Sequence, residues 1–272
     1  MSERLSPRGS DLKRLCDTAA KAVASVVEEM VGSATSGQTV KMGADGTPTK
    51  SIDCAAENAV LDTLRGSGLG FKVLSEEIGE VSIGEKPDYF LHLDPLDGTF
   101  NAIAGIPFYS VSIYLSQGDF HFGYICDLAH GHSYYAEAGR GAYANPGGHL
   151  QVSPNADLSH FSISAYTLRP HSGRITGIGD TVRRIRTLGS TSLEMALVAS
   201  GKLDAFVDLR GMMRVVDVAA GKIILEEAGG IVTDAKGSEL QLDGNMWQKK
   251  DLIGSNGLRH AELLRLIGGG QN

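Results

Sequence analysis

Cysteine is scarce in this 272-residue chain, which holds only Cys16, Cys54 and Cys126. The number is odd and the spacings are wide, which argues against a disulfide framework and against a zinc site. Reduced thiols in a cytoplasmic protein are the expectation. Long apolar runs are also missing, so no segment reads as a membrane span. The opening MSERLSPRGS mixes charges of both signs and has no apolar stretch, unlike a signal peptide. Positive charge is in deficit, with 25 Lys and Arg against 32 Asp and Glu. A surface of that sign repels polyanions, so nucleic acid is not an expected partner, although a local basic pocket can still hold a small phosphate. Apolar residues are plentiful at 42%, an ordinary globular proportion that excludes a disordered chain. The length suffices for one large domain or two modest ones.

Hydrophobic spacing places a first helix over residues 11–30, with Ser10 as its N-cap and Leu12, Leu15, Ala19, Val23, Val26, Val27 and Met30 inward. A loop rich in Gly, Ser and Thr follows, then a second helix from Ser51 to before Gly66, packing through Ile52, Ala56, Ala59, Val60 and Leu64. Short apolar runs at 71–74 and 89–93 read as strands, each ending in carboxylates. Short strands over 108–115 and 134–143 read as antiparallel structure. Pro146-Gly147-Gly148 marks a candidate boundary, giving domains 1–149 and 150–272. In the second part, strands are read at 161–165, 183–188, 205–209, 231–233 and 252–253. Helices are read at 192–200, from Asp217 to Ala228, and at 261–266. This order indicates α and β elements in packed layers.

The segment with the most chemistry is Asp94-Pro95-Leu96-Asp97-Gly98-Thr99. Pro95 fixes one backbone angle and removes a donor, so the segment reads as a tight turn that ends the strand. Such a turn can aim two carboxylates and the Leu96 carbonyl to one side, where a hard cation such as Mg²⁺ finds its oxygen ligands. Gly98 and Thr99 then offer backbone N–H groups at a helix start, a setting that favours phosphate. The bland alternative is an acidic turn, since Asp, Pro and Gly are common there. Glu76, at the end of the preceding strand, and Asp217, before the small-residue helix start VAAG, weigh against it. Taken singly, Glu76 is a solvated acid and Asp217 a helix cap.

In their order along the chain these segments resemble the inositol monophosphatase family. The motifs are SEE (75–77), DPLDGTFN (94–101), GSTSLEMALVASGKLDAFVD (189–208) and VVDVAAG (215–221) followed by EEAGG. GADGTPTKSID (43–53), SISAY (162–166) and DLRGMMRVVD (208–217) are most similar to the archaeal and bacterial branch with dual fructose-1,6-bisphosphatase and inositol-1-monophosphatase activity. A departure from the animal pattern is the insertion between Asp208 and Asp217, which carries Arg210 and Arg214. The resemblance implies an α+β layered sandwich (αβαβα), with a mainly antiparallel N-terminal sheet and a smaller mixed C-terminal sheet. It implies Mg²⁺ held by Glu76, Asp94, Asp97, Asp217 and the Leu96 carbonyl, two or three ions per site, with Mn²⁺ as a substitute. Asp97, Gly98 and Thr99 would hold the scissile phosphate, and Arg186, Thr191 and Arg210 would bind substrate. Asp53 and Thr99 would help orient the attacking water, and Glu76 would count with them as catalytic. Asp45 would reach a further metal, and the protein would be a homodimer.

The implied reaction is phosphomonoester hydrolysis by metal-activated water, on fructose 1,6-bisphosphate, inositol 1-phosphate or both. The residues agree with it: no cysteine stands beside a matching histidine and no G-x-S-x-G is present, so nothing suggests a covalent nucleophile. Arg184 and Arg186 alternate along a strand, while Arg210 and Arg214 are read on a loop leading into Asp217. Arginine's planar fork suits a second phosphate. Adenosine 3′,5′-bisphosphate and NADP are alternative substrates. The haloacid dehalogenase phosphatases, whose acids lie two apart, fit less well because position 95 is proline. A non-catalytic metal or phosphate binder fits less well because no ligand is lost. His130 and His132 flank Gly131 in what reads as an exposed turn, and His92 and His121 read as structural or exposed.

Overall fold

The computed structural model describes residues 5–44, 46–167, 169, 171–242 and 249–268. Helix α1 (Pro7–Glu28) starts four residues earlier than its spacing suggested, because Ser6 is the cap: its hydroxyl accepts from the Gly9 N–H at 2.9 Å, and Pro7 sits at the first helical position. Strands β1 (Thr39–Met42) and β2 (Pro48–Lys50) form a separate hairpin ahead of α2 (Ser51–Gly66). Then come β3 (Phe71–Ser75), β4 (Gly79–Ile83), β5 (Tyr89–Asp97) and the short α3 (Thr99–Ala104). A meander follows: β6 (Ser110–Gln117), β7 (Phe120–Asp127), β8 (His132–Glu137), β9 (Ala142–Asn145) and β10 (Gly148–His149). These strands make one sheet in the order β10-β9-β8-β7-β6-β5-β3-β4, antiparallel except for β3 beside β5.

From Ser162 onward the strands belong to a second sheet. Its elements are β11 (Ser162–Tyr166), the short α4 (Thr176–Gly179), β12 (Arg184–Arg186), α5 (Thr191–Ala199) and β13 (Ala205–Met213). They continue with α6 (Val215–Glu227), β14 (Ile231–Thr233), β15 (Lys250–Ser255) and α7 (His260–Gly268). The sheet order is β12-β11-β13-β15-β14, parallel on one side of β13 and antiparallel on the other.

The two-residue period of the strands divides the core into layers. On β6 and β7, Val111, Ile113, Leu115, Phe122 and Tyr124 face α1 and α2. Tyr114 and Ile125 face the other way, toward α5 and α6. Those two helices also cover Phe206 and Leu252 of the second sheet, whose far face packs Ile163, Val207 and Ile253 against Leu263 of α7. The result is the αβαβα sandwich. α6 lies between two sheets, and every residue over 215–225 is buried, which explains why its sequence there is apolar apart from Asp217 and Lys222.

Two local readings need correction. β5 does not stop at Asp94: its pairing with β6 shifts between Asp94↔Ser112 and Asp97↔Ser110, so the strand continues through a bulge that accommodates Pro95 and its missing donor. β13 likewise runs past Leu209 to Met213, so Arg210 lies on a strand, and Arg214 caps α6 instead of lying in a loop. No helix among the described residues is long and apolar enough to cross a membrane.

Candidate active site

Parallel pairing of β3 and β5 brings Ser75 level with Leu93, so the chain releases Glu76 and Asp94 side by side. Asp217 arrives from the other half of the molecule, at the third position of α6, where its carboxylate accepts from the Arg214 N–H at 2.9 Å. One oxygen from each of Glu76, Asp94 and Asp217 lies within 4.8 Å of the others. The bulge turns the next carboxylate, Asp97, the same way. Gly98 follows at φ +96, where an added Cβ would meet the Phe108 carbonyl at 3.0 Å and the Gly189 carbonyl at 3.2 Å. Only glycine makes this turn, which places Thr99 at the start of α3.

Asp97 is clasped by the N-terminus of α5. Its carboxylate accepts from Ser190 Oγ at 2.7 Å, from the Ser192 N–H at 2.7 Å, from the Thr191 N–H at 3.2 Å and from the Ser192 hydroxyl. Thr99 Oγ1 lies 2.8 Å from Asp53 Oδ1 and 3.0 Å from the Leu96 carbonyl, either of which can accept its single proton. Asp53 is the third residue of α2, and it also accepts from the Lys50 N–H at 3.1 Å.

The residue whose place the sequence concealed is Arg214. Its Nη2 lies 2.6 Å from Glu76 Oε1 and 2.8 Å from Asp217 Oδ1, and its Nε lies 3.1 Å from Asp217 Oδ2. Burial opposes its charge, but hydrogen bonding and attraction to Asp217 hold it above the usual arginine range. One guanidinium does not balance the group. Burial, then the charges of Glu76, Asp97 and Asp217, push Asp94 well above the ordinary carboxylate range. Burial and Asp217 push Glu76 up to about 8, against the pull of Arg214. Burial also raises Asp97 and Asp53, partly offset by their hydrogen bonds. Clustered oxygens that resist ionisation for want of positive charge are suited to a hard divalent cation.

These groups floor a cavity of about 270 Å³, whose walls include Thr99, Tyr166, Gly189, Thr191 and Arg210. The fork of Arg210 holds buried Asp208, and its guanidinium carbon lies 4.5 Å from the Tyr166 ring centroid. Arg186 does not line the cavity; it is exposed on edge strand β12. Asp53 is buried beneath Thr99, off the cavity wall. Asp45 lies outside the described residues. His130 and His132 are exposed around a glycine turn, with His130 Nδ1 bonded to Asp127 at 2.9 Å. Ser190 and Ser192 were missed in the sequence because their partner, Asp97, is 93 to 95 positions away. For Arg214 a signal existed in its spacing of three from Asp217.

Comparison with known proteins identifies the family. The inositol monophosphatase family model matches residues 11–268. A fructose-1,6-bisphosphatase/inositol-1-monophosphatase of Methanothermobacter thermautotrophicus is 37% identical, over 91% of this chain and 93% of its own. A bifunctional NADP phosphatase/NAD kinase of Methanococcus maripaludis is also 37% identical, over 95% of this chain but 49% of its own length. A solved Pyrococcus horikoshii protein, described as having similarities to inositol-1 monophosphatase, superimposes with a TM-score of 0.82 at 32% identity, over 97% of this chain and 99% of that one. The chain belongs to the inositol monophosphatase family, whose members are metal-dependent phosphoric monoester hydrolases.

Proposed function

We propose that this protein hydrolyses fructose 1,6-bisphosphate, inositol 1-phosphate or both, using Mg²⁺. The observation that carries this reading is the convergence of Glu76, Asp94 and Asp217 within 4.8 Å beside Asp97. Those four carboxylates and the Leu96 carbonyl would hold two or three ions, with Mn²⁺ as a substitute. When bound, the metal neutralises phosphate charge and makes water a competent nucleophile near neutral pH. The chain's own groups do the rest. Asp97 and the Gly98 and Thr99 amides at the start of α3 would hold the scissile phosphate, with Thr191 on the wall of the same cavity. A Thr99 hydroxyl that donates to Asp53 keeps its lone pairs free to accept from a water and fix its direction. Arg210, on the wall of the same cavity, would take the second phosphate of a bisphosphate. The exposed Arg186 remains an outer contact for a long substrate.

Residues 1–149 and 150–272 would act as two domains that complete one site. Free cysteines support a cytoplasmic location, and the family resemblance supports a homodimer. NADP and adenosine 3′,5′-bisphosphate form the second reading, favoured by the likeness to the NADP phosphatase relative.

Phosphate release from these four substrates, each with Mg²⁺ and with EDTA, decides between the readings. Fructose 1,6-bisphosphate or inositol 1-phosphate should be turned over fastest, and EDTA should abolish release. Faster turnover of the nucleotides would refute the sugar and polyol preference. Asp94→Asn removes charge at nearly constant volume. Its activity should drop by at least the ~100-fold that losing an outer-shell partner can cost, with an unchanged circular dichroism spectrum.

A further inference from the structure

Glu194 has no part in the chemistry described above, yet it is a carboxylate with 0% exposure in the fourth position of α5. Burying such a group is costly unless donors surround it. Three do: the Leu188 N–H at 2.9 Å, the Ser164 hydroxyl and the Tyr166 hydroxyl. All three hydrogen-bond donors are neutral, and the cation that feels the Glu194 charge is Arg210, without a hydrogen bond between them among the described residues. Burial raises its pKa and those hydrogen bonds lower it.

The contact that reaches the cavity is Tyr166. Its oxygen donates to Glu194 and accepts from the Gly189 N–H at 2.6 Å, so two bonds fix the ring at the cavity wall. Arg210 lies over that ring at 4.5 Å, within the range of a cation–π contact. Its Nε reaches both oxygens of the fully buried Asp208, at 3.1 and 2.9 Å, and Nη2 bonds Oδ2. Nη1 makes no hydrogen bond among the described residues. The guanidinium is thus held along one edge and one face, and part of it remains for an incoming anion.

We propose that Glu194 is a positioning residue: through Tyr166 it fixes Arg210 on the cavity wall, and so sets the preference for substrates that carry a second anionic group. This rests on the sugar-bisphosphate reading. It adds that specificity is anchored in a buried carboxylate which never touches substrate. A side chain that only stabilised the fold would weaken every substrate alike. One that acts through Arg210 affects the bisphosphate selectively, and only while Arg210 is present.

The experiment is a double-mutant cycle of Glu194→Gln and Arg210→Ala, with KM and kcat measured on fructose 1,6-bisphosphate and inositol 1-phosphate. Glu194→Gln keeps the volume but removes the charge that receives the Tyr166 hydroxyl. KM for the bisphosphate should rise roughly fivefold with kcat within about twofold, while the monophosphate constants move by less than about twofold. In the Arg210→Ala background the rise should disappear. Equal KM rises on both substrates, or an undiminished rise without Arg210, would overturn the proposal. An Arg210→Ala enzyme with wild-type KM for the bisphosphate would overturn both this proposal and the role given to Arg210. Should Glu194→Gln not fold, Tyr166→Phe tests the same link, because it removes the hydroxyl and leaves the ring. It too should raise the bisphosphate KM, and an unchanged value would count against the proposal.

Discussion

Arg214 holds a permanent positive charge against Glu76 and Asp217, at 2.6 and 2.8 Å. A divalent ion held by the same carboxylates would meet repulsion from that charge. The same charge relieves repulsion among the carboxylates before any ion arrives. Arg214→Met should therefore tighten Mn²⁺ binding by on the order of tenfold. Electron paramagnetic resonance of free Mn²⁺ measures this directly, and weaker binding would mean that the arginine serves mainly to hold its neighbours in place. Legibility in the sequence follows the same division. Asp94 and Asp97 were readable because their geometry is local, three residues apart around a proline. The partners of Arg214, and the serines that hold Asp97, come together only through tertiary structure.

Helix α6 touches the first sheet without a side chain between backbones: a Cβ on Gly123 of β7 would meet the Ala220 carbonyl at 2.8 Å. Gly123→Ala should push α6 outward and destabilise the protein by about 1–3 kcal/mol. Urea unfolding would reveal this, and because Asp217 rides on α6, metal affinity should fall with stability. A variant as stable as wild type would show that the helix shifts freely. Element types were legible where periodicity was strong, as in α1 and α2. Element ends were less so. The spacing pattern of α1 is silent about its first turn, where Ser6 and Pro7 set the start. The continuation of β5 past Pro95 depends on a bulge that only the partner strand β6 reveals. The extension of β13 to Met213 likewise depends on pairing with Lys250 of β15.

At the scale of the whole molecule, a five-layer stack buries titratable groups, and pH acts on overall stability through them. His92 of β5 faces Tyr114 with its rings 5.2 Å apart and its Nδ1 without a partner. Burial lowers its pKa from 6.5 to about 4. Between those values the unfolded chain takes up a proton that the folded chain refuses. Stability is therefore lost as pH falls through that window, by up to about 3 kcal/mol. Glu76, raised to about 8, acts in the opposite direction, but equally in wild type and in a His92 variant. Urea unfolding of His92→Leu at pH 7 and pH 5 should show an acid-side loss smaller by about 2 kcal/mol than in wild type. The stack itself was readable as alternating α and β segments, and α6 as a helix with a small-residue start. That α6 separates two sheets was not, since a sequence does not say what covers each face.

The clasp of Asp97 by Ser190, Thr191 and Ser192 ties a residue from the first half of the chain to a helix from the second. Seen as heredity, this couples the two halves of the gene. A recombination event that exchanged either half with a distant cousin would have to bring a matching clasp with it. A change at position 190 or 192, whose hydroxyls serve the clasp, would be felt by an aspartate more than ninety codons upstream.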